Sequence, residues 1–163
     1  MTFRIERASE RDLPLILKLI KDLAEYEKLA HAVVATEATL RESLFEKRAA
    51  EVIIGYADDE PAGFALYFQT FSTFLGVPGM YLEDIFVAPE YRRHGLGRAL
   101  LAQLAKIAVE RGYGRLEWTA LDWNELAIGF YRKLGARSMD EWTLFRMTGD
   151  SLRRLASQGS ADV

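Results

Sequence analysis

The chain has 163 residues, half of them hydrophobic and 28% charged, with a formal charge of −3. That length suits one domain with a real core, and the slight acidity argues against a nucleic-acid binder, which carries a basic surplus. There is no cysteine and only His31 and His94 among histidines, which leaves no disulfide framework and no thiolate or histidine metal centre. The N-terminus shows no apolar signal segment, and no run approaches the ~18 apolar residues of a membrane span. A cytoplasmic protein with neither nucleic acid nor membrane as partner is expected, as one domain over 1–156 with a polar tail over 157–163.

Residues 3–8 alternate and read as a first strand. Ser9 offers an N-cap, and Leu13, Ile16, Leu17, Ile20, Leu23 and Ala24 recur at three and four, which predicts a long amphipathic helix to about Leu29. Near its end lies Glu25-Tyr26-Glu27. Acidic residues there oppose the helix dipole, so a substrate role stands beside the plainer reading of a solvated helix end. Thr36 caps a second helix with Leu40, Leu44 and Phe45 as its buried side. Residues 51–57 and 62–71 form a hairpin around Asp58-Asp59-Glu60-Pro61, and a loop covers 72–79.

Residues 80–87 form the most apolar strand, which Pro89 ends. A basic loop, Arg92-Arg93-His94-Gly95-Leu96-Gly97, leads into a helix running from near Gly97 to about Arg111. Strand, glycine loop and helix in that order make an anion site, because glycines let the backbone approach a ligand and unpaired N–H groups at a helix start carry partial positive charge. The loop lacks both the Gly-Lys-Ser/Thr ending of a P-loop and the three glycines of the Rossmann fingerprint. Arg92, Arg93 and Arg98 suit phosphate recognition; His94 is either a phosphate contact or a solvated loop residue. A strand over 115–121, a helix over 124–134, a last strand over 142–147 and a short helix around 151–156 complete a mixed α/β domain, antiparallel in its first half, with a parallel pair joined by the helix after the glycine loop.

Glu83 and Asp84 interrupt the most apolar strand. Neighbouring strand residues face opposite ways, so at least one carboxylate enters a covered face, where its pKa should rise. It could accept a proton from an ammonium or bind a cation; alternatively one of the two pairs with a buried base while the other sits at a bulge or strand end. Asn124 and Tyr131, seven apart, share a helix face. Tyr131 is either a core tyrosine or a general acid for a departing thiolate. Asn124 is an N-cap, which does not exclude a cofactor contact.

Together, Tyr81-Leu-Glu-Asp-Ile-Phe-Val, Tyr91-Arg-Arg-His-Gly-Leu-Gly, Asp122-Trp-Asn-Glu, Phe130-Tyr-Arg-Lys-Leu-Gly-Ala and Glu141-Trp-Thr-Leu-Phe-Arg resemble the spermidine/spermine branch of the GNAT N-acetyltransferases, which includes thialysine acetyltransferases. The resemblance implies the GNAT fold, with its parallel pair splayed around acetyl-CoA, no metal, and a homodimer. By that resemblance Ile85, Phe86 and Val87 would pair with the pantetheine arm, and the backbone of Arg93, His94, Gly95, Leu96, Gly97 and Arg98 would cradle the pyrophosphate. Asn124 would help hold the cofactor and Tyr131 would be the general acid. Tyr26, Glu27, Glu83 and Asp84 would line the amine site, with Glu83 taking the amine proton through water. Two departures stand out: the hairpin turn is shorter than in polyamine enzymes, and Arg93-His94 replaces a small residue and an aromatic. The amine is therefore open, between a polyamine, a lysine-like amino acid, a peptide and an antibiotic, and a non-catalytic acyl-CoA sensor is the other class.

Overall fold

The computed structural model describes residues 1–162, which form two compact units, Met1–Leu121 and the residues from Asp122 onward. The first unit holds a five-stranded sheet in the order β1 (Phe3–Arg7), β2 (Glu51–Ala57), β3 (Glu60–Ser72), β4 (Val77–Val87), β5 (Leu116–Trp118). The first three pairings are antiparallel and β4–β5 is parallel, as the order of elements implies. Helix α1 (Leu13–Tyr26) and the short α2 (Glu37–Leu40), which widens into a π turn over Arg41–Glu46, cover one face. Leu13, Ile16, Leu19 and Leu23 of α1 and Leu40 and Leu44 pack there on Val52, Ile54, Phe64 and Phe86. Gly55, next along β2 from Ile54, faces the other way. A Cβ at Gly55 would lie 2.9 Å from Leu96 Cδ1, so this glycine is the notch that seats the first residue of α3 (Leu96–Glu110). Leu96, Leu100, Leu101, Leu104 and Ala108 of α3 are buried.

Local chemistry sets the boundaries. Asp12 accepts the Ser9 N–H at 2.8 Å and starts a 3-10 turn ahead of α1. Helix α1 stops at Tyr26 rather than near Leu29 because Lys28 adopts a left-handed φ of 62°. The N–H groups of Leu29 and Lys28 then close on the carbonyls of Ala24 and Glu25, at 2.8 and 3.1 Å, the two bonds of a Schellman end. Strand β4 begins at Val77, so Val77 and Pro78 belong to a strand rather than to the expected loop. In the β2–β3 hairpin only Asp58 and Asp59 turn, both at positive φ (47° and 69°), while Glu60 and Pro61 already pair.

In the second unit Asn124 caps α4 (Glu125–Lys133), accepting the Ala127 N–H at 3.3 Å. Gly135, at φ 97°, ends it through bonds from the N–H groups of Ala136 and Gly135 to the carbonyls of Tyr131 and Arg132. Helix α5 spans Gly149–Ala156. The strand expected over 142–147 does not form among the described residues. All five strands precede Leu121, so this apolar stretch has no ladder to join within its unit, and a lone strand cannot satisfy its own N–H and C=O groups. The strand expected over 115–121 shortens to Leu116–Trp118.

Candidate active site

The site in the first unit is built around a fault in β4. Leu66 pairs with Asp84 and Tyr67 with Leu82, leaving Glu83 without an opposite number on β3. This is a one-residue β-bulge, and it reverses the side-chain phase of the strand. Directly opposed residues in a ladder share a face. Phe64, opposite Phe86, lies in the α1-side core, and Leu66, opposite Asp84, packs against the same core. Asp84 therefore lies on the α1 face, whereas Leu82, opposite Tyr67, points the other way. A regular strand would have put residues 80, 82, 84 and 86 all on one face.

The consequence is electrostatic. Asp84 is pushed up from 3.8 to about 6, first by burial, then by repulsion from Glu83 and from Glu27. Burial also raises Glu27, which follows the last residue of α1. Glu83 itself is exposed. Among the described residues no ion pair joins a base to Asp84. Of the plainer alternatives, the bulge is present and the compensating base is not. Three carboxylates thus share a region in which no ion pair among the described residues reaches Asp84, which suits a cationic ligand.

The same fault opens an edge. The β4–β5 ladder runs only from Met80/Leu116 to Leu82/Trp118. Beyond it, Ile85, Phe86 and Val87 keep β3 on one side and no strand on the other. The Ala88 N–H bonds the Ala62 carbonyl at 2.8 Å, which makes Gly63–Val87 a non-hydrogen-bonded pair. Val87 and, two residues earlier, Ile85 therefore direct their backbone groups away from β3, to the open side. Donors and acceptors on such an edge are ready for an extended ligand with amide groups.

Past β4, Pro89–Tyr91 makes a 3-10 turn and Gly95 caps α3 at φ 94°, a conformation that favours glycine. The first bond within α3 runs from Ala99 N–H to the Gly95 carbonyl, so the N–H groups of Leu96, Gly97 and Arg98 precede it and face the helix start. A Cβ at Gly97 would touch nothing nearer than Val87 Cγ2 at 3.8 Å. The fold does not itself demand glycine there, which suits close approach by a ligand. Arg93, His94 and Arg98 are exposed around this turn. The structure gives Arg92 another position: its Nε donates to the Val87 carbonyl at 2.8 Å, and its guanidinium lies 4.4 Å from the Tyr26 ring centre and 5.5 Å from that of Phe86.

The first unit therefore brings together Tyr26, Glu27, Glu83, Asp84, Ile85, Phe86, Val87 and Arg92, and continues into the loop Arg93–Arg98. In the second unit Asn124 caps α4, and Tyr131, partly buried, lies two turns along the same helix with its ring 5.8 Å from that of Phe130. Sequence reasoning missed the Arg92 brace, which nothing in the local pattern announces. It also missed the notch at Gly55, although a glycine inside a strand signals close approach.

Residues 16–136 match the model of the acetyltransferase (GNAT) family. A thialysine N-epsilon-acetyltransferase of Bos taurus is 38% identical over 94% of this chain and 97% of its own length. An L-ornithine N5-acetyltransferase of Arabidopsis thaliana is 34% identical over 95% of this chain and 88% of its own. Among solved structures, an integron cassette protein of V. cholerae superposes with a TM-score of 0.80 at 31% identity, covering 97% of this chain and 99% of that one.

Proposed function

The chain belongs to the GNAT family of N-acetyltransferases, and we propose that it acetylates a terminal primary amine of a small cationic acceptor by direct transfer from acetyl-CoA in a ternary complex. The acceptor class we favour is a diamino acid of the ornithine or lysine type, ahead of a polyamine. The observation that carries this reading is Asp84, turned by the bulge to the α1 face beside Glu83 and Glu27, with no ion pair to a base among the described residues. The two relatives named for ornithine and thialysine support the diamino acid over the polyamine.

The chain's residues fit acetyl-CoA. The open edge of Ile85 and Val87 would take the amides of its arm, and the N–H groups of Leu96, Gly97 and Arg98 would take its pyrophosphate, with Arg93, His94 and Arg98 adding charge. Asn124 is proposed as a further cofactor contact. When bound, acetyl-CoA supplies the thioester carbonyl that the amine attacks and leaves as the thiol.

The acceptor amine must be neutral to attack. Asp84, raised toward neutrality, is better matched to take the ammonium proton than an ordinary carboxylate. Glu83, exposed on the bulge, would pass it on through water, and Glu27 would hold the distal cationic group. The Ile85 N–H, aimed at the open edge, would polarise the carbonyl, and Tyr131 would protonate the leaving sulfur as the C–S bond breaks.

The test is thiol release from acetyl-CoA with ornithine, lysine, thialysine, putrescine, spermidine, spermine, an aminoglycoside and a lysine peptide. Saturable turnover on the diamino acids is expected. Turnover on the peptide alone would remove the small-cation reading, and binding of acetyl-CoA without any turnover would leave a sensor.

A further inference from the structure

Arg92 opens the basic loop, yet its side chain is spoken for by the fold. Its Nε–H donates to the Val87 carbonyl at 2.8 Å, and its Cζ lies over the Tyr26 ring at 4.4 Å from the ring centre and 5.5 Å from that of Phe86. These anchors come from two elements, α1 and β4. Tyr26 is the last residue of α1, next to Glu27 of the acidic group; Val87 ends β4, on the open edge; and Phe86 belongs to the core between them. A guanidinium suits this task, since it offers a flat face to aromatic rings and a directional Nε–H at once. The bond also changes what the edge offers: the Val87 carbonyl is committed, which leaves the N–H groups of Ile85 and Val87 and the Ile85 carbonyl. Asp84 and Glu27 nevertheless stay raised, Asp84 by burial and then by the charges of Glu83 and Glu27, and Glu27 by burial.

We propose that Arg92 is a positioning residue, which ties the acceptor side (Tyr26 and Glu27) to the donor side (the edge at Val87), rather than a ligand of the cofactor's phosphates. This rests on the acetyltransferase reading above. It differs from the expectation raised by the loop motif, in which all its arginines serve the phosphates.

The test compares Arg92→Lys with Arg93→Ala and Arg98→Ala, following CoA binding, its salt dependence and steady-state kinetics for the amine. Lysine keeps the positive charge and loses both the plane and the Nε donor. Arg92→Lys should raise KM for the amine, or lower kcat/KM for it, about tenfold or more, while the CoA dissociation constant and its salt slope stay within about twofold of wild type. Arg93→Ala and Arg98→Ala should do the reverse, weakening CoA and flattening its salt dependence. Tyr26→Ala should copy Arg92→Lys, and the double variant should be no worse than the poorer single one, because the two side chains act as a unit. A purely structural role would lower the melting temperature without an effect specific to the amine. Wild-type kinetics in Arg92→Lys, or a loss confined to CoA binding, would overturn the proposal. A wild-type chain that turns over no amine would instead overturn the acetyltransferase reading, so the two failures are distinguishable.

Discussion

Asparagine at position 84 removes a partly buried charge at nearly constant size. Asp84 titrates at about 6 instead of 3.8. That gap of about 2 pH units, at 1.36 kcal/mol each, means that the native state disfavours the charged form by about 3 kcal/mol. Between pH 4 and 6 the native chain holds a proton that the unfolded chain has released. Wild-type stability from this group is therefore greatest at low pH, falls as pH rises through 6, and is level above. Asp84→Asn should then be more stable than wild type by up to about 3 kcal/mol at pH 7.5, with the difference vanishing toward pH 4. Urea unfolding at half-unit pH steps measures it, and kinetics with a diamine should show the same variant losing the acceptor. Parallel pH curves for the two proteins, or a variant less stable at pH 7.5, would refute the idea that the bulge buries an uncompensated carboxylate.

Tyr131→Phe should lower kcat by about a hundredfold and leave the acetyl-CoA dissociation constant unchanged, read by steady-state kinetics and equilibrium binding. Gly95→Ala forces an L side chain to φ 94°; it should cost about 1–2 kcal/mol in urea unfolding and weaken acetyl-CoA, whose pyrophosphate is proposed to rest on the α3 start. Glu51, held below the usual carboxylate range by the two bonds from Arg111, contributes stability that is present above the ordinary glutamate pKa and lost as pH falls through its native one. Glu51→Gln should thus lower the melting temperature at pH 7 and converge on wild type in acid.

Much of the fold is legible in residues 1–121. The periodic apolar faces of α1 and α3 and the alternation of β1 and β2 each agree with their own local chemistry. The end of α3, where Gly112 follows at φ 73°, and that of α4 at Gly135 follow from glycine's tolerance of positive φ, but the end of α1 does not, since Lys28 takes the left-handed position against its own preference. The stretch 142–147 misleads because apolar alternation reports a wish for a ladder, and a ladder also needs an edge. At the site, Glu83 and Asp84 are conspicuous as charges in an apolar strand. Which of them is buried turns on a register shift with β3, and pairing register is a property of two strands that neither sequence declares alone.

That register shift is also where two chemistries meet. From Met80 to Leu82, β4 is an interior strand with a ladder on both sides. At Glu83 one extra residue breaks the phase, and from Ile85 the side away from β3 is open. If the strand instead paired without the bulge, with Leu66 opposite Glu83, the side chains beyond it would exchange faces. Asp84 would leave the α1 side, the Phe86 ring would leave both the α1 core and Arg92, and the outward N–H groups would fall on different residues. The acid that would take a proton from the amine and the N–H that would polarise the carbonyl are thus set by a single backbone irregularity, one residue apart. Their relative placement is fixed by covalent geometry rather than by the docking of separate elements. An attack on a carbonyl needs that kind of precision, since effective molarity is lost with ångström-scale misplacement.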